Sequence, residues 1–191
     1  MRRITLDIET EGDFLGNGDF SNLELTVVGI HDSDTGEFKS YLKSELNMLW
    51  PLLERADMLV GYNSEHFDVP ILNKYYTGDL TKIKHIDLLK EIKNALGRRL
   101  KLDNVAEATL GTGKIGDGLQ AQKWWEAGDV EKVRAYCLED VRLTVALYEH
   151  AKKHGVLKYR DFDGVRDIKL DTSHWEAKNG ADAALTHTLP F

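Results

Sequence analysis

Ile4, Leu6 and Ile8 alternate with Thr5, Asp7 and Glu9 early in the chain. A two-residue period marks a strand, with three aliphatic side chains on one face and two acids on the other. Asp7 and Glu9 therefore point the same way, about 7 Å apart along the strand. Leu25 to Ile30 and Phe38 to Leu42 read as two more strands. The turn-rich segment His31–Glu37 between them predicts a hairpin. Ser44 is placed to cap a helix through about Arg55, with Pro51 kinking or restarting it. Met58 to Gly61 reads as a short buried strand. Asn63 and Ser64 break it, and a helix is expected to run to Tyr76 and close at Gly78. Pro70 fits only the first turns of that helix, which places Asp68 near its N-terminus.

Farther on, Lys84 to Leu88 reads as a strand, followed by a helix to about Leu96 that Gly97 can end. Asp103 is placed to cap a helix through Leu110. The glycine-rich run Gly111–Gly118 follows, and then a helix from Leu119 to Ala127. Asp129 is placed to cap a last long helix, ended by Gly155. On it Val130, Val133, Cys137, Val141, Thr144 and Tyr148 form an apolar stripe. Tyr136 and Asp140 lie one turn apart on a shared face. Periodicity is weak beyond Val165, where at most one strand is expected. Strands followed by helices alternating with short strands predict an α/β fold, a mixed central sheet flanked by helices. The division expected is one domain over residues 1–155 and an extension over 156–191 packed on it.

Composition narrows the class. Across 191 residues, hydrophobic content is 42% and charged content 30%, ordinary for a soluble domain. No apolar run is long enough to span a membrane and no signal-peptide pattern opens the chain, so a cytoplasmic location is expected. The single cysteine, Cys137, rules out an internal disulfide and fits a reducing compartment. A net charge of −7 argues against a protein that coats nucleic acid by bulk electrostatics. Lys74 to Lys101 nevertheless carries +5, from eight Lys/Arg and three acids. That strip could guide a phosphate backbone or could be a solvated helix surface.

The chemistry-bearing residues are the acids. Asp7 and Glu9 lie on the first strand, Asp68 at a helix start and Asp140 on the last helix. Carboxylates packed together without neighbouring Lys or Arg are costly, and divalent metal is the usual offset. Hard oxygen donors suit Mg²⁺ or Mn²⁺, and two such ions beside an oriented water hydrolyse phosphodiesters. Other signals are weaker. Gly111-x-Gly113-x-x-Gly116 follows a helix-like segment, where a dinucleotide site needs a strand. Gly113-Lys114 continues into Ile115, which excludes a Walker loop. His150 and His154 lack an evident third ligand. Cys137 reads as a small core residue. Of the adjacent Trp124 and Trp125, one is expected in the core and the other exposed.

Three segments in order resemble a known family. Leu6-Asp7-Ile8-Glu9-Thr10, Gly61-Tyr62-Asn63 with Phe67-Asp68, and Tyr136-Cys137-Leu138-Glu139-Asp140 are similar to the three motifs of the DEDD superfamily of 3′-5′ exonucleases. Tyr136 matches its tyrosine subclass (DEDDy). Leu102 to Gly118, with Leu119-Gln120-Ala121, is similar to the connecting region in the proofreading domain of family-B DNA polymerases and small free-standing relatives. The resemblance covers roughly Arg3 to Tyr148 and implies a ribonuclease H-like fold.

It also implies a metal-dependent enzyme releasing nucleoside 5′-monophosphates from the 3′ end of single-stranded DNA or RNA, with DNA favoured. Asp7, Glu9 and Asp140 would hold one ion, Asp7 would bridge to a second, and Asp68 would steady that one through its waters. Tyr136 would orient the attacking water; a phenol pKa of about 10 suits positioning better than proton abstraction. Thr10, Asn63 and Phe67 are candidates to grip the terminal nucleotide, Phe67 by stacking or else by packing on the sheet. Lys114 is a candidate phosphate contact and Phe14 a candidate wedge between bases. No polymerase region accompanies the motifs, so roles in repair, recombination or RNA trimming stay open. The competing readings are a non-catalytic nucleic-acid-binding scaffold and an endonuclease of the wider ribonuclease H-like group.

Overall fold

The computed structural model describes residues 1–12, 19–112 and 118–177. A five-stranded sheet runs in the order β3-β2-β1-β4-β5, built from β1 (Arg3–Glu11), β2 (Glu24–Asp32), β3 (Glu37–Leu42), β4 (Met58–Gly61) and β5 (Lys84–Asp87). The first three strands pair antiparallel, and β4 and β5 continue parallel to β1. This is the expected α/β architecture with a mixed sheet and flanking helices. Ile4, Leu6 and Ile8 are buried on one face against α1 (Leu46–Leu53) and α2 (Asp68–Leu72). Met58, Val60 and Ile86 face a second core formed with α3 (Leu88–Leu96), α4 (Leu102–Leu110) and α6 (Val130–His154). Between α4 and α6 lies α5 (Gly118–Glu126).

Helix ends follow backbone chemistry. Gly97, Gly111 and Gly155 adopt left-handed conformations at the ends of α3, α4 and α6, as a C-terminal glycine should. Glu45, rather than Ser44, is the N-cap residue of α1, and its carboxylate accepts from the Leu42 amide at 2.7 Å, closing the short 3-10 turn Lys43–Glu45 that leads into the helix. Lys101, not Asp103, is the N-cap of α4, and Asp103 lies in its first turn two residues on. Pro51 sits inside α1 without ending it.

One expectation here is corrected. Helix α2 stops at Leu72 instead of running to Tyr76, because tertiary contacts capture the next residues. The Tyr75 hydroxyl donates to Glu24 and accepts from the Leu25 amide, while the Asn73 side-chain oxygen accepts from the Leu80 amide. The tail holds an antiparallel hairpin of β6 (Val156–Asp161), a strand not foreseen, and β7 (Gly164–Lys169), the one strand expected in the region of Val165. Its Leu157, Tyr159 and Ile168 join the second core. The outer edge of β6 is satisfied by side chains of α4: Thr109 bonds both backbone groups of Lys158, and Asn104 both of Arg160. Among the described residues no helix is long and apolar enough to cross a membrane.

Candidate active site

The site lies at the carboxyl ends of the parallel strands β1, β4 and β5. Asp7 and Glu9 stand on the β1 face turned toward α6, as the alternation requires. A register shift between Glu9 and Thr10 marks a bulge there, an irregularity common beside functional sites. Helix α6 packs closely because the facing position on β2 is Gly29, paired with Asp7. A side chain at Gly29 would meet Cys137 Sγ at 3.0 Å and Val141 at 3.1 Å. That close approach brings Cys137 beside Asp7, with the thiol donating to the Asp7 backbone oxygen at 3.4 Å.

Asp68 arrives from the other face. Pairing of β1 with β4 ends at Thr5 opposite Val60, and the chain then turns at Gly61, where a Cβ would collide with the Ser64 side chain. The diverging loop delivers the buried Asp68 carboxylate to the Ile8 amide, between Asp7 and Glu9 in sequence. Burial first, and then the negative charges of Asp87 and Asp140, push its pKa up to about 8. Asp140 is buried on α6 one turn beyond Tyr136. Tyr136 is buried as well, its ring edge-on to Trp124 at 6.0 Å. The sequence reading therefore named residues from three segments that the fold draws to one place.

The donor set fits a hard divalent cation. Single ligand atoms of Asp7, Glu9 and Cys137 all lie within 4.8 Å of one another. Burial and the neighbouring Asp7, Glu9 and Asp140 hold the Cys137 thiol well above its ordinary pKa, so the anionic donors are all oxygens. Asp68 gives the arrangement a measurable cost. Its folded pKa lies above the unfolded value of about 3.9, so the metal-free fold loses stability as pH rises from about 4 through 8. Asp68→Asn is expected to stabilise the metal-free protein by roughly 1–3 kcal/mol at pH 9 and by less at pH 5. Thermal unfolding in EDTA checks this; equal gains at the two pH values would count against a strained Asp68.

The family follows from comparison. Residues 4–152 match the model of the RNase_H superfamily. The chain belongs to the RNase_H superfamily. Among solved structures it is similar to the family B DNA polymerase of the hyperthermophilic archaeon Pyrobaculum calidifontis, with a TM-score of 0.62 and 20% identity. The match covers 80% of this chain and 24% of the polymerase chain, and at that identity it speaks for the fold alone. No curated protein matches. The superfamily match and the acids clustered on the fold together support a nuclease that uses divalent metal.

The remaining candidates are placed unevenly. Thr10 is half-buried at the bulge. Phe67 is half-buried against the first core, edge-on to Phe20 at 5.2 Å. Asn63 adopts φ +68°, its amide donating to Asp87 and its side-chain oxygen accepting from Arg99. Lys114 and Phe14 lie outside the described residues. Trp124 and Trp125 are both half-buried beside Val27, Val133 and Cys137, instead of one inside and one out. The His150 and His154 rings meet at 4.5 Å, tilted by 43°, near the end of α6.

Sequence reading missed Asp87. This buried residue caps α3 by accepting from Leu89 and Lys90, and it also accepts from the Asn63 and Glu65 amides. It thereby fastens the loop that carries Asp68. Its cap role was visible as an Asp before a helical run, but its reach back to the loop was not.

Proposed function

We propose that the protein is a metal-dependent 3′-5′ exonuclease of the DEDDy type. It hydrolyses single-stranded DNA, or RNA, from the 3′ end to nucleoside 5′-monophosphates. The observation that supports this best is the convergence of Asp7, Glu9, Asp68 and Asp140 around the carboxyl end of β1, with Tyr136 one turn from Asp140. The four carboxylates would hold two ions, Mg²⁺ or Mn²⁺. Bound there, such ions supply a water nucleophile near neutral pH and charge stabilisation for the attacking and leaving oxygens.

The chain's own residues do the rest. Asp87 and the Asp68 bond to Ile8 hold the loop carboxylate against β1 before substrate arrives. Tyr136 presents a phenol that orients the attacking water. Thr10 and Phe67 border the place for the terminal nucleotide. We assign the activity to residues 1–155 and treat residues 156–191 as an extension, of which Leu157, Tyr159, Ile168 and Trp175 pack on the second core and residues 178–191 lie outside the described residues.

Linear and covalently closed single strands test the reading. Linear DNA is expected to yield 5′-monophosphates from the start of the reaction, while the closed circle stays intact. Nicking of the circle would instead identify an endonuclease. Tyr136→Phe is expected to lower kcat roughly tenfold to a hundredfold and leave metal affinity unchanged by calorimetry. A full-rate Tyr136→Phe enzyme would remove Tyr136 from the mechanism.

A further inference from the structure

An acidic centre on an acidic chain repels the phosphates it must receive, so a local cation is needed to seat them. The +5 strip was the natural source, but the fold spends much of it on itself. Lys74 donates to three backbone oxygens of the Phe20–Leu23 turn and Lys84 to those of His174 and Ala177. Lys90 pairs with Glu65 and Arg98 with Asp161. Lys82, Lys93, Lys101 and Arg99 make no ion pair among the described residues, and of these four Arg99 is the one that is anchored: exposed, it donates one guanidinium N–H to a neutral acceptor, the Asn63 side-chain oxygen, at 2.5 Å.

That anchor is unusually firm. Asn63 is fixed in its left-handed conformation with its amide on buried Asp87. The preceding residue, Tyr62, donates its hydroxyl to the backbone oxygen of Leu100 at 2.9 Å. Two successive residues of the loop leading to Asp68 thus hold two successive residues, Arg99 and Leu100. The guanidinium is tethered to the loop that leads to Asp68, pairs with no carboxylate among the described residues, and has most of its fork of donors unused. A planar fork of this kind recognises phosphate oxygens two at a time.

We propose that Arg99 contacts a backbone phosphate of the substrate strand, and that Asn63 is the positioning residue that aims it. The inference rests on the nuclease reading above and adds a residue that neither the motifs nor the superfamily match names.

Anisotropy of a 5′-fluorescein-labelled oligothymidylate, measured in EDTA across a salt titration, tests it. Losing one phosphate contact lowers the slope of log K against log salt by about 0.7 on a single strand. Arg99→Gln is expected to show that loss with affinity at least fivefold weaker. Arg99→Lys should keep the slope with intermediate affinity. Asn63→Gly, which retains the backbone conformation and deletes the anchor, should weaken binding while keeping the slope. Wild-type slope and affinity in Arg99→Gln, or in Arg99→Lys and Asn63→Gly together should the glutamine variant not fold, would overturn the proposal. A wild-type protein that degrades DNA while these variants bind normally sinks only the Arg99 role; one that neither binds nor degrades sinks the nuclease reading.

Discussion

Replacing Asp7 by alanine is expected to lower the rate of nucleotide release by at least about 10³, with the fold intact. Asp7 sits at the crossing of every approach to the site. It shares the β1 face with Glu9, pairs with Gly29 where α6 comes closest, and lies beside Cys137. Several kcal/mol of transition-state stabilisation attributed to bound cations would be lost with it. The same change removes one negative charge from a cluster of like charges, so the metal-free melting temperature should hold or rise. Activity assays paired with thermal unfolding in EDTA separate the two effects. Retention of more than a tenth of wild-type activity would take Asp7 out of the catalytic site.

Trp175→Ala is expected to be the most damaging single change to stability, at about 3–5 kcal/mol. Trp175 is fully buried although it follows the last strand by several residues. Its ring stacks on Tyr148 of α6 at 5.2 Å, and its indole N–H donates to Glu91 of α3 at 3.2 Å. The next residue, Glu176, accepts from Arg3 and Tyr148 and pairs with Lys152. One short segment therefore ties β1, α3 and α6 together. Its loss should lower the melting temperature by roughly 10 °C while leaving metal affinity near wild type, because Asp7, Glu9, Asp68 and Asp140 lie elsewhere. A change below about 1 kcal/mol would show that this segment is not docked in solution. Lys152 first, then Arg3 and Tyr148, hold the Glu176 carboxyl down to about 2. A depressed pKa stabilises above the unfolded value, so the tie weakens only as pH falls from about 4.5 toward 2.

Much of the site was legible because its residues obey local periods. Alternation through Ile4, Leu6 and Ile8 put Asp7 and Glu9 on one face, and four-residue spacing put Tyr136 over Asp140. Pro70 fixed Asp68 near a helix start. What escaped was set by contacts between distant segments. The Tyr75 bond to Glu24 shortens α2, and nothing in the local run from Val69 to Tyr76 reports it. Strands β6 and β7 carry charges at most outward positions, and their partners on α4 lie about fifty residues away in sequence, so their alternation is weak. Asp87 went unread, because its bonds to the Asn63 and Glu65 amides join segments that no local period links. Arg99 was one cation among eight until the fold showed four of the others engaged and Arg99 itself anchored on Asn63.

The most direct measurement is digestion of 5′-labelled single-stranded DNA and RNA with Mg²⁺ or Mn²⁺, beside Asp7→Ala and an EDTA control. A ladder that shortens from the 3′ end in wild type, and is absent from both controls, is the expected result, with the faster substrate fixing the sugar preference. Uncut oligomers under every metal, with binding retained, would contradict the exonuclease and leave a nucleic-acid-binding scaffold on this fold.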